Sequence, residues 1–130
     1  MKPAHFVGSS LGDLRDFPEG AREEAGYAIY LAQLGGKAIN AVPMTGFGGS
    51  KVVEVAIPED GDAYRAVYTV KFPEAVYVLH AFQKKAKRGE QTPYTEINLI
   101  RHRLKLAETH YGQNYKNKAR ELRHERETQR

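Results

Sequence analysis

The side chains best suited to chemistry lie in one stretch of the chain, residues 52–85, and their types match one reaction. Cleavage of RNA by its own 2'-hydroxyl needs a base for the hydroxyl proton, cations for the charged phosphate, and an acid for the leaving 5'-oxygen. Glu54, Arg65 and His80 carry groups of these three kinds. The stretch ends in further polar and cationic residues: Gln83, Lys84 and Lys85.

Four aromatic residues of the same stretch could hold unpaired bases by stacking: Tyr64, Tyr68, Tyr77 and Phe82. Each of these features also has an ordinary structural interpretation. Glu54 and Arg65 could form a cross-strand ion pair, and His80 could be a hydrogen-bonded core residue. Tyrosines on strands usually pack against neighbouring side chains. The residue types alone leave both interpretations open.

A dense group of cations begins at the end of this stretch and continues beyond it: Lys84, Lys85, Lys87 and Arg88. Their mutual repulsion is unfavourable without a polyanion, so they indicate a strongly negative partner. The net charge is +4, and residues 84–105 hold seven Lys or Arg against two Asp or Glu. Nucleic acid is the commonest partner of such a surface, and an acidic protein is the other.

The composition is that of one globular domain. The chain has 130 residues, 41% hydrophobic and 28% charged, and no cysteine. No apolar run approaches the roughly 18 to 20 residues that a membrane helix needs. The opening MKPAHFVGSS lacks the apolar segment of a secretory signal. We therefore expect a cytoplasmic protein.

The sequence predicts neither a metal site nor a cofactor site. It contains no G-x-x-x-x-G-K-S/T, G-x-S-x-G or H-E-x-x-H motif. The run GFGGS at residues 46–50 resembles a phosphate loop in composition, but it lacks the following lysine and the preceding strand. The five histidines show no spacing typical of zinc ligands.

Three helices are predicted. The first contains Leu11, Leu14 and Phe17 after a serine cap, and the second runs from Pro18 to Gly35-Gly36 with an alanine stripe. The third begins with Thr92 as N-cap and Pro93 as first residue. Its apolar stripe consists of Ile97, Ile100, Leu104, Ala107 and Tyr111. Its opposite face carries Arg101, Arg103 and Lys105.

Three antiparallel strands in a meander are predicted from KVVEVAI, AYRAVYTV and AVYVLHAF, with turns between them. The last strand is apolar on both faces, with Val76, Val78 and Phe82 on one and Tyr77, Leu79 and Ala81 on the other, so we expect it at the centre. Residues 38–50 are predicted to form a loop. The fold class is α+β, a small antiparallel sheet with helices packed on it.

Three motifs, together with the order of elements, resemble the HigB-like toxins of the RelE/ParE superfamily, which often occur in phage-derived loci. They are GSSLGDLRDFP (residues 8–18), AYRAVYTVKFPEAVYVLHAFQKK (residues 63–85) and Thr92-Pro93. The resemblance covers about residues 5–110, and we expect a RelE-like domain over residues 1–112. The tail, residues 113–130, is too polar to bury a face, so we expect it to be dispensable for folding from about Tyr115 onward.

Members of that family are ribosome-dependent endoribonucleases, or mRNA interferases, which cut mRNA without a metal or cofactor. A helix-turn-helix antitoxin neutralises them. The resemblance therefore implies the ribosome, mRNA and a cognate antitoxin as partners.

The resemblance also implies roles for individual residues. Arg65 matches the strand arginine that contacts the scissile phosphate, and Glu54 matches an acidic residue of the first meander strand. Relatives commonly read R-E-L/I-R where this chain has Val53-Glu54-Val55-Ala56, so two cations are absent, and Lys51 could replace one. His80 and Gln83 fall within the matched motif without a settled role.

The sequence thus predicts two groups of site residues. The catalytic group is Arg65, Glu54, His80 and Lys84. The RNA-binding group is Lys51, Tyr64, Tyr68, Gln83, Lys85, Lys87 and Arg88. Two other functions stay open: a catalytically silent protein that binds an antitoxin or nucleic acid, and a gyrase-directed toxin of the ParE type with the same fold.

Overall fold

A computed structural model describes residues 1–85, 92–116 and 123–125. Its five strands are β1 (Ala4–Phe6), β2 (Ala41–Pro43), β3 (Val52–Glu59), β4 (Asp62–Thr69) and β5 (Val76–Lys85). Its α-helices are α1 (Ser10–Arg15), α2 (Glu19–Gln33) and α3 (Tyr94–Tyr111), with a 3-10 turn at Gly48–Ser50 and a π-helical turn at Gly112–Lys116. Within these residues, no helix is long and apolar enough to cross a membrane.

The predicted meander is confirmed, and it forms the middle of a five-stranded sheet in the order β1-β5-β4-β3-β2. The β3–β4 hairpin closes through Asp60 and Gly61, whose φ angles are 48° and 84°. Two successive positive φ angles suit a two-residue hairpin turn, because such a turn matches the twist of its strands. The Asp-Gly pair is therefore the local reason for the register that pairs Glu59 with Asp62.

The two outer strands differ from the sequence prediction. β1 pairs with β5 in parallel, Ala4 opposite Val76, so the sheet is mixed and not purely antiparallel. β2 pairs antiparallel with β3 inside the segment predicted to be a loop, with Val42 opposite Glu54. Each outer strand has three residues. That length is too short for an alternating apolar pattern to reveal it.

Helices cover both faces of the sheet, which confirms the α+β class. One face packs against α1 and α2, where the predicted alanine stripe is buried against strand residues such as Val55 and Tyr68. The other face packs against α3, where Ile100, Leu104, Ala107 and Tyr111 of the predicted stripe are buried.

The start of α3 lies one residue later than predicted. Pro93 occupies the cap position and Tyr94 is the first helical residue. Thr92 makes no cap hydrogen bond, and its hydroxyl instead donates to Oε2 of Glu54 over 2.9 Å. The first turn of α3 is therefore tied to β3.

Arg103 corrects the prediction for the polar face of α3. Its side chain is buried, with 8% exposed, and it donates to the carbonyl of Leu79 (3.0 Å) and to Oγ of Ser9 (2.9 Å). Arg101 and Lys105 are exposed as predicted. Arg103 lies three residues after Ile100 and four before Ala107, so helical geometry puts it on the buried side.

Residues 112–116 continue α3 as a π-helical turn. Tyr115 of this turn forms a hydrogen bond with Nε2 of His5 over 2.7 Å, and its ring stacks on Tyr111 at 5.2 Å. The domain boundary at residue 112 stays a prediction. Tyr115 lies beyond this boundary and still packs against His5 and Tyr111 of the domain.

Candidate functional site

Glu54, Arg65 and His80 lie on the same face of the sheet, beneath the first turns of α3. Val67 of β4 pairs with Glu54 on β3 and with His80 on β5, so these three positions form one row across the sheet. Arg65 is two residues before Val67 on β4 and therefore shares its face. Lys84 lies four residues after His80 on β5 and shares this face, so the structure puts all four residues predicted to be catalytic on one face of the sheet.

A β-bulge in β5 puts His80 on this face. Val67 pairs with His80 but Tyr68 pairs with Val78, which leaves Leu79 as an extra residue. The strict alternation assumed from the sequence breaks at this point. As a result, Phe82 faces α3 in the same layer as Tyr77 and Leu79, and Ala81 faces α2. Bulges commonly re-aim side chains in this way beside functional sites.

Glu54 and Arg65 form an ion pair between neighbouring strands, with Nη1 of Arg65 donating to Oε1 of Glu54. Glu54 is buried with 6% exposed, and Thr92 donates to its second oxygen. Both carboxylate oxygens are therefore hydrogen-bonded. The Nε of Arg65 is buried and has no hydrogen-bond partner in the described part of the chain.

A cleft of about 190 Å³ opens above this pair. β2 and its continuation form one wall through Pro43 and Thr45, and Thr92 and Ile97 from the start of α3 form another. Glu54 and Arg65 both line it. An anion bound in this cleft would meet the Arg65 guanidinium, which is suited to a phosphate because it donates several hydrogen bonds in one plane.

His80 is buried on the same face, with both ring nitrogens engaged. Nε2 pairs with Oε2 of Glu96 in α3, and Nδ1 lies 3.3 Å from Nη1 of Arg103. Because a guanidinium can only donate, Nδ1 is the acceptor and the proton of the neutral ring is on Nε2. The ring also stacks on Phe82, with centroids 4.8 Å apart. This environment is that of a hydrogen-bonded core histidine.

The predicted cations at the end of β5 have different positions. Lys84 lies opposite Ala63, on the same face as Phe82, and is buried with 6% exposed. Lys85 pairs with Asp62 in the backbone register. Lys87 and Arg88 lie outside the described residues.

Other predicted RNA contacts lie away from the cleft. Tyr64, Tyr68 and Gln83 belong to the face that packs on α1 and α2. Tyr68 is 2% exposed, so it has no free ring face on which a base could stack. Tyr64 packs on Phe17 with centroids 4.9 Å apart. Gln83 is exposed and donates to Asp62 over 2.7 Å.

Tyr77, a candidate for base stacking, and Lys51, a predicted RNA contact, lie away from the cleft as well. Tyr77 is buried on the α3 face, where its hydroxyl lies 2.6 Å from Nδ1 of His110. Lys51 is exposed just before β3, and it lines a second cavity on the α2 side of the sheet together with Tyr68. Neither side chain shares the cleft with Arg65.

Sequence reasoning missed three residues that hold the site together. Thr92 was assigned to a helix cap, Arg103 to an exposed face, and Glu96 had no role. Glu96 lies four residues before Ile100, so its helical position beside the apolar stripe was the available signal. Within residues 1–85, 92–116 and 123–125, no group of three His, Cys, Asp or Glu side chains could hold a metal ion.

One comparison with known proteins gives a match. The sequence model of the family described as "Phage derived protein Gp49-like (DUF891)" matches residues 12–105. This range contains most of α1, all of α2 and the meander, and most of α3. No curated protein and no solved structure matches the chain. The match confirms the phage-derived, toxin-type part of the sequence resemblance, and the HigB-like assignment stays a prediction.

Proposed function

Because the chain belongs to the Gp49-like family of phage-derived proteins, we propose that it is the toxin of a type II toxin-antitoxin pair, an endoribonuclease that cleaves mRNA on the ribosome. The observation that carries the enzymatic part is the Arg65 guanidinium. It lines an open cleft beside the carboxylate of Glu54, and its Nε has no partner among the described residues.

The proposed reaction needs no group beyond the chain and the RNA. The 2'-hydroxyl oxygen attacks the adjacent phosphorus, and the bond from phosphorus to the 5'-oxygen breaks. Glu54 takes the hydroxyl proton, with the 2'-hydroxyl replacing Thr92 as the donor to its carboxylate. Arg65 donates to the nonbridging oxygens, where negative charge increases in the transition state. The products are a 2',3'-cyclic phosphate and a 5'-hydroxyl.

The leaving 5'-oxygen needs a proton, and the same sheet face offers two sources. Nε2 of His80 carries a proton that is directed to Glu96, so this route requires the His80–Glu96 pair to separate. The ammonium group of Lys84 is the second source, two residues beyond Phe82 on the same strand face. We therefore assign the role of general acid to His80 and Lys84 together.

The proposed partners follow from charge and family. Lys85, Lys87 and Arg88, together with Lys84, supply cations for the backbone of mRNA or of the surrounding ribosomal RNA. The family type implies an antitoxin that blocks the toxin, and we propose that it is a helix-turn-helix protein encoded by the neighbouring gene.

One observation favours a second function, a catalytically silent binding protein. Both oxygens of Glu54 and both ring nitrogens of His80 already have partners inside the protein. In addition, Ala56 is the residue opposite Arg65, where relatives commonly have an arginine. In this alternative the cleft binds phosphate and the ion pair is structural.

Inducible expression in a bacterial host distinguishes the endoribonuclease from the catalytically silent binding protein. For the endoribonuclease we expect growth arrest, new 5'-hydroxyl ends in translated mRNA, and relief of both by the neighbouring gene. For the silent protein we expect binding to ribosomes or RNA without new ends. Arrest with intact mRNA would contradict the proposed chemistry and would favour the gyrase-directed type of toxin.

A further inference from the structure

A second cavity lies on the opposite side of the sheet from the cleft. Its volume is about 340 Å³, within the range of ligand pockets. The chain after α2, the 3-10 turn and the ends of β2, β3 and β4 surround it. Its walls are largely apolar: Pro43, Val53, Tyr68 and Val70. We call this cavity the β2 groove.

Two lysines line the β2 groove, and among the residues that the structure describes no acidic side chain does. Lys37 and Lys51 are both exposed, and neither ammonium group has an ion pair or hydrogen bond within the part of the chain that the structure describes. The backbone of Lys51 is left-handed, with φ 47°, and its carbonyl accepts from the amide of Val70 over 3.1 Å. The groove is thus a fixed apolar cavity with a positive rim.

The segment from α2 to β2 adds exposed apolar surface beside this rim. Leu34 is 55% exposed, and Ile39 is fully exposed. These two residues bracket Lys37 in the sequence. Exposed apolar side chains next to an apolar cavity are typical of a surface that another protein covers.

We propose that the β2 groove binds an acidic segment of a partner protein, with one apolar side chain in the cavity and carboxylates on Lys37 and Lys51. The apolar walls favour a protein side chain over RNA, because a sugar or phosphate there would lose hydrogen bonds to water without replacement. The rim charge favours acidic flanking residues. The basic C-terminal third of this chain has the wrong charge to be the occupant.

Binding here has a consequence for the cleft on the other side of the sheet. Pro43 lines both cavities, so β2 separates them and borders each. A segment seated in the groove therefore contacts the strand that forms one wall of the cleft. The proposal rests on the groove alone and holds whether or not the cleft is catalytic.

The test uses the full chain and three short synthetic peptides, in which a central leucine, phenylalanine or methionine is flanked by glutamates. Their binding is followed by amide chemical shifts and by fluorescence anisotropy. We expect at least one to bind with a Kd below about 1 mM and to shift amides of the groove. Replacing its central residue by alanine should remove most of the binding.

Charge reversal supplies the matched control. In a Lys37→Glu, Lys51→Glu variant we expect the acidic peptide to bind on the order of tenfold more weakly, and a lysine-flanked peptide to bind more tightly than to the natural protein. Lys105→Glu, which changes an exposed lysine on α3, should leave both affinities unchanged. Unfolding midpoints of all variants verify that they are folded.

Two results would overturn the proposal. The first is that no acidic peptide shifts groove amides at millimolar concentration, or that all variants bind it equally. The second is that a single-stranded RNA oligomer shifts the same amides and displaces the peptide, which would make the surface an RNA site. Neither result bears on Arg65 or on RNA cleavage, so peptide binding in the β2 groove and the proposed endoribonuclease function can be disproved independently.

Discussion

Arg65 takes part in an ion pair and also lines the cleft, and substitution separates these two roles. Under the proposed function, Arg65→Ala should lower RNA cleavage by about 100- to 1000-fold, because it removes a preorganised donor to the transition state. Arg65→Lys should recover little, since an ammonium group lacks the planar arrangement of donors. Cleavage of a translated reporter mRNA, normalised to folded protein, is the measurement.

The same substitution leaves Thr92 as the only partner of the buried Glu54 carboxylate among the described residues, so it should also cost about 1–3 kcal/mol of stability. Arg15→Ala is the matched control, because Arg15 is an exposed arginine on α1. It should change neither cleavage nor stability appreciably. Full growth arrest by folded Arg65→Ala protein would show that the Glu54–Arg65 pair is structural.

Arg103 stabilises the fold from a buried position. Arg103→Met keeps most of the packing but leaves the Leu79 carbonyl and Nδ1 of His80 without their donor, so we expect a loss of about 2–4 kcal/mol. Lys105→Met on the exposed face of the same helix should cost less than about 0.5 kcal/mol. Denaturant unfolding of the two variants gives the comparison, and equal costs would contradict the burial of Arg103.

The sequence predicted the chemistry of single residues better than their surroundings. It identified Glu54 and Arg65 as an ion pair or a catalytic pair, and the structure has the pair. It placed Arg103 outside because charged residues are rarely buried without partners. Those partners, Ser9 and the Leu79 carbonyl, lie far away along the chain, so helical spacing alone did not indicate them.

At the scale of elements, two glycines predict opposite effects of the same substitution. Gly8 has a φ of +58°, and a Cβ there would lie 2.8 Å from Nε of Arg103. We therefore expect Gly8→Ala to destabilise the protein by about 1–3 kcal/mol. Gly26 is exposed within α2, and a Cβ there would meet nothing within 4 Å. Gly26→Ala should stabilise by about 0.5–1 kcal/mol.

Thermal and denaturant unfolding of both variants is the measurement. If Gly8→Ala proved neutral, the loop before α1 would have to move away from Arg103 at little cost. A destabilising Gly26→Ala would instead mean that the outer face of α2 is in contact with another surface, for example a second copy of the chain.

Long elements were predictable, and short or irregular ones were not. α2 and the three meander strands have enough residues for a period to show, and they are where expected. β1 and β2 have three residues each. The bulge at Leu79 has no glycine or other local signal, yet it decides that His80 and Phe82 face α3. The composition of the site was therefore predictable, while its geometry depended on one irregular residue.

At the scale of the whole molecule, the C-terminal boundary can be tested by two truncations. A chain ending at residue 116 keeps the contacts of Tyr115 with His5 and Tyr111, so its unfolding midpoint should stay within about 2 °C of the full chain. A chain ending at residue 112 loses them and should unfold at least about 3 °C lower. Equal midpoints for both chains would restore residue 112 as the end of the folded domain.

The same corner of the molecule predicts a dependence on pH. His5 of β1 lies against Tyr77 of β5, His110 of α3 and Tyr115. Burial, followed by the charge of His110, lowers the pKa of His5 below its ordinary value of 6.5. The unfolded chain therefore takes up this proton first as pH falls. Stability should decrease as pH falls below about 6.5 and level off below the folded pKa.

Unfolding midpoints between pH 8 and pH 5 measure this effect. His5→Phe, which keeps a ring in the cluster, should make the profile flatter. His102→Phe is the control, because His102 is exposed on α3 and should leave the profile unchanged. If His5→Phe had the same acid sensitivity as the natural protein, the cluster would not be its source.

Because β1 pairs with β5, the first strand of the chain has no neighbouring strand until β5 has been synthesised. Val76 at the start of β5 pairs with Ala4, near the start of the described chain. Before β5 has been made, α1 exists without the strand against which it packs, and the cleft lacks the wall that Thr92 and Ile97 form. The Glu54–Arg65 pair is translated earlier, yet it gains its cover from Thr92 only when the start of α3 follows. The cleft therefore cannot have both of its walls until the start of α3 has been synthesised.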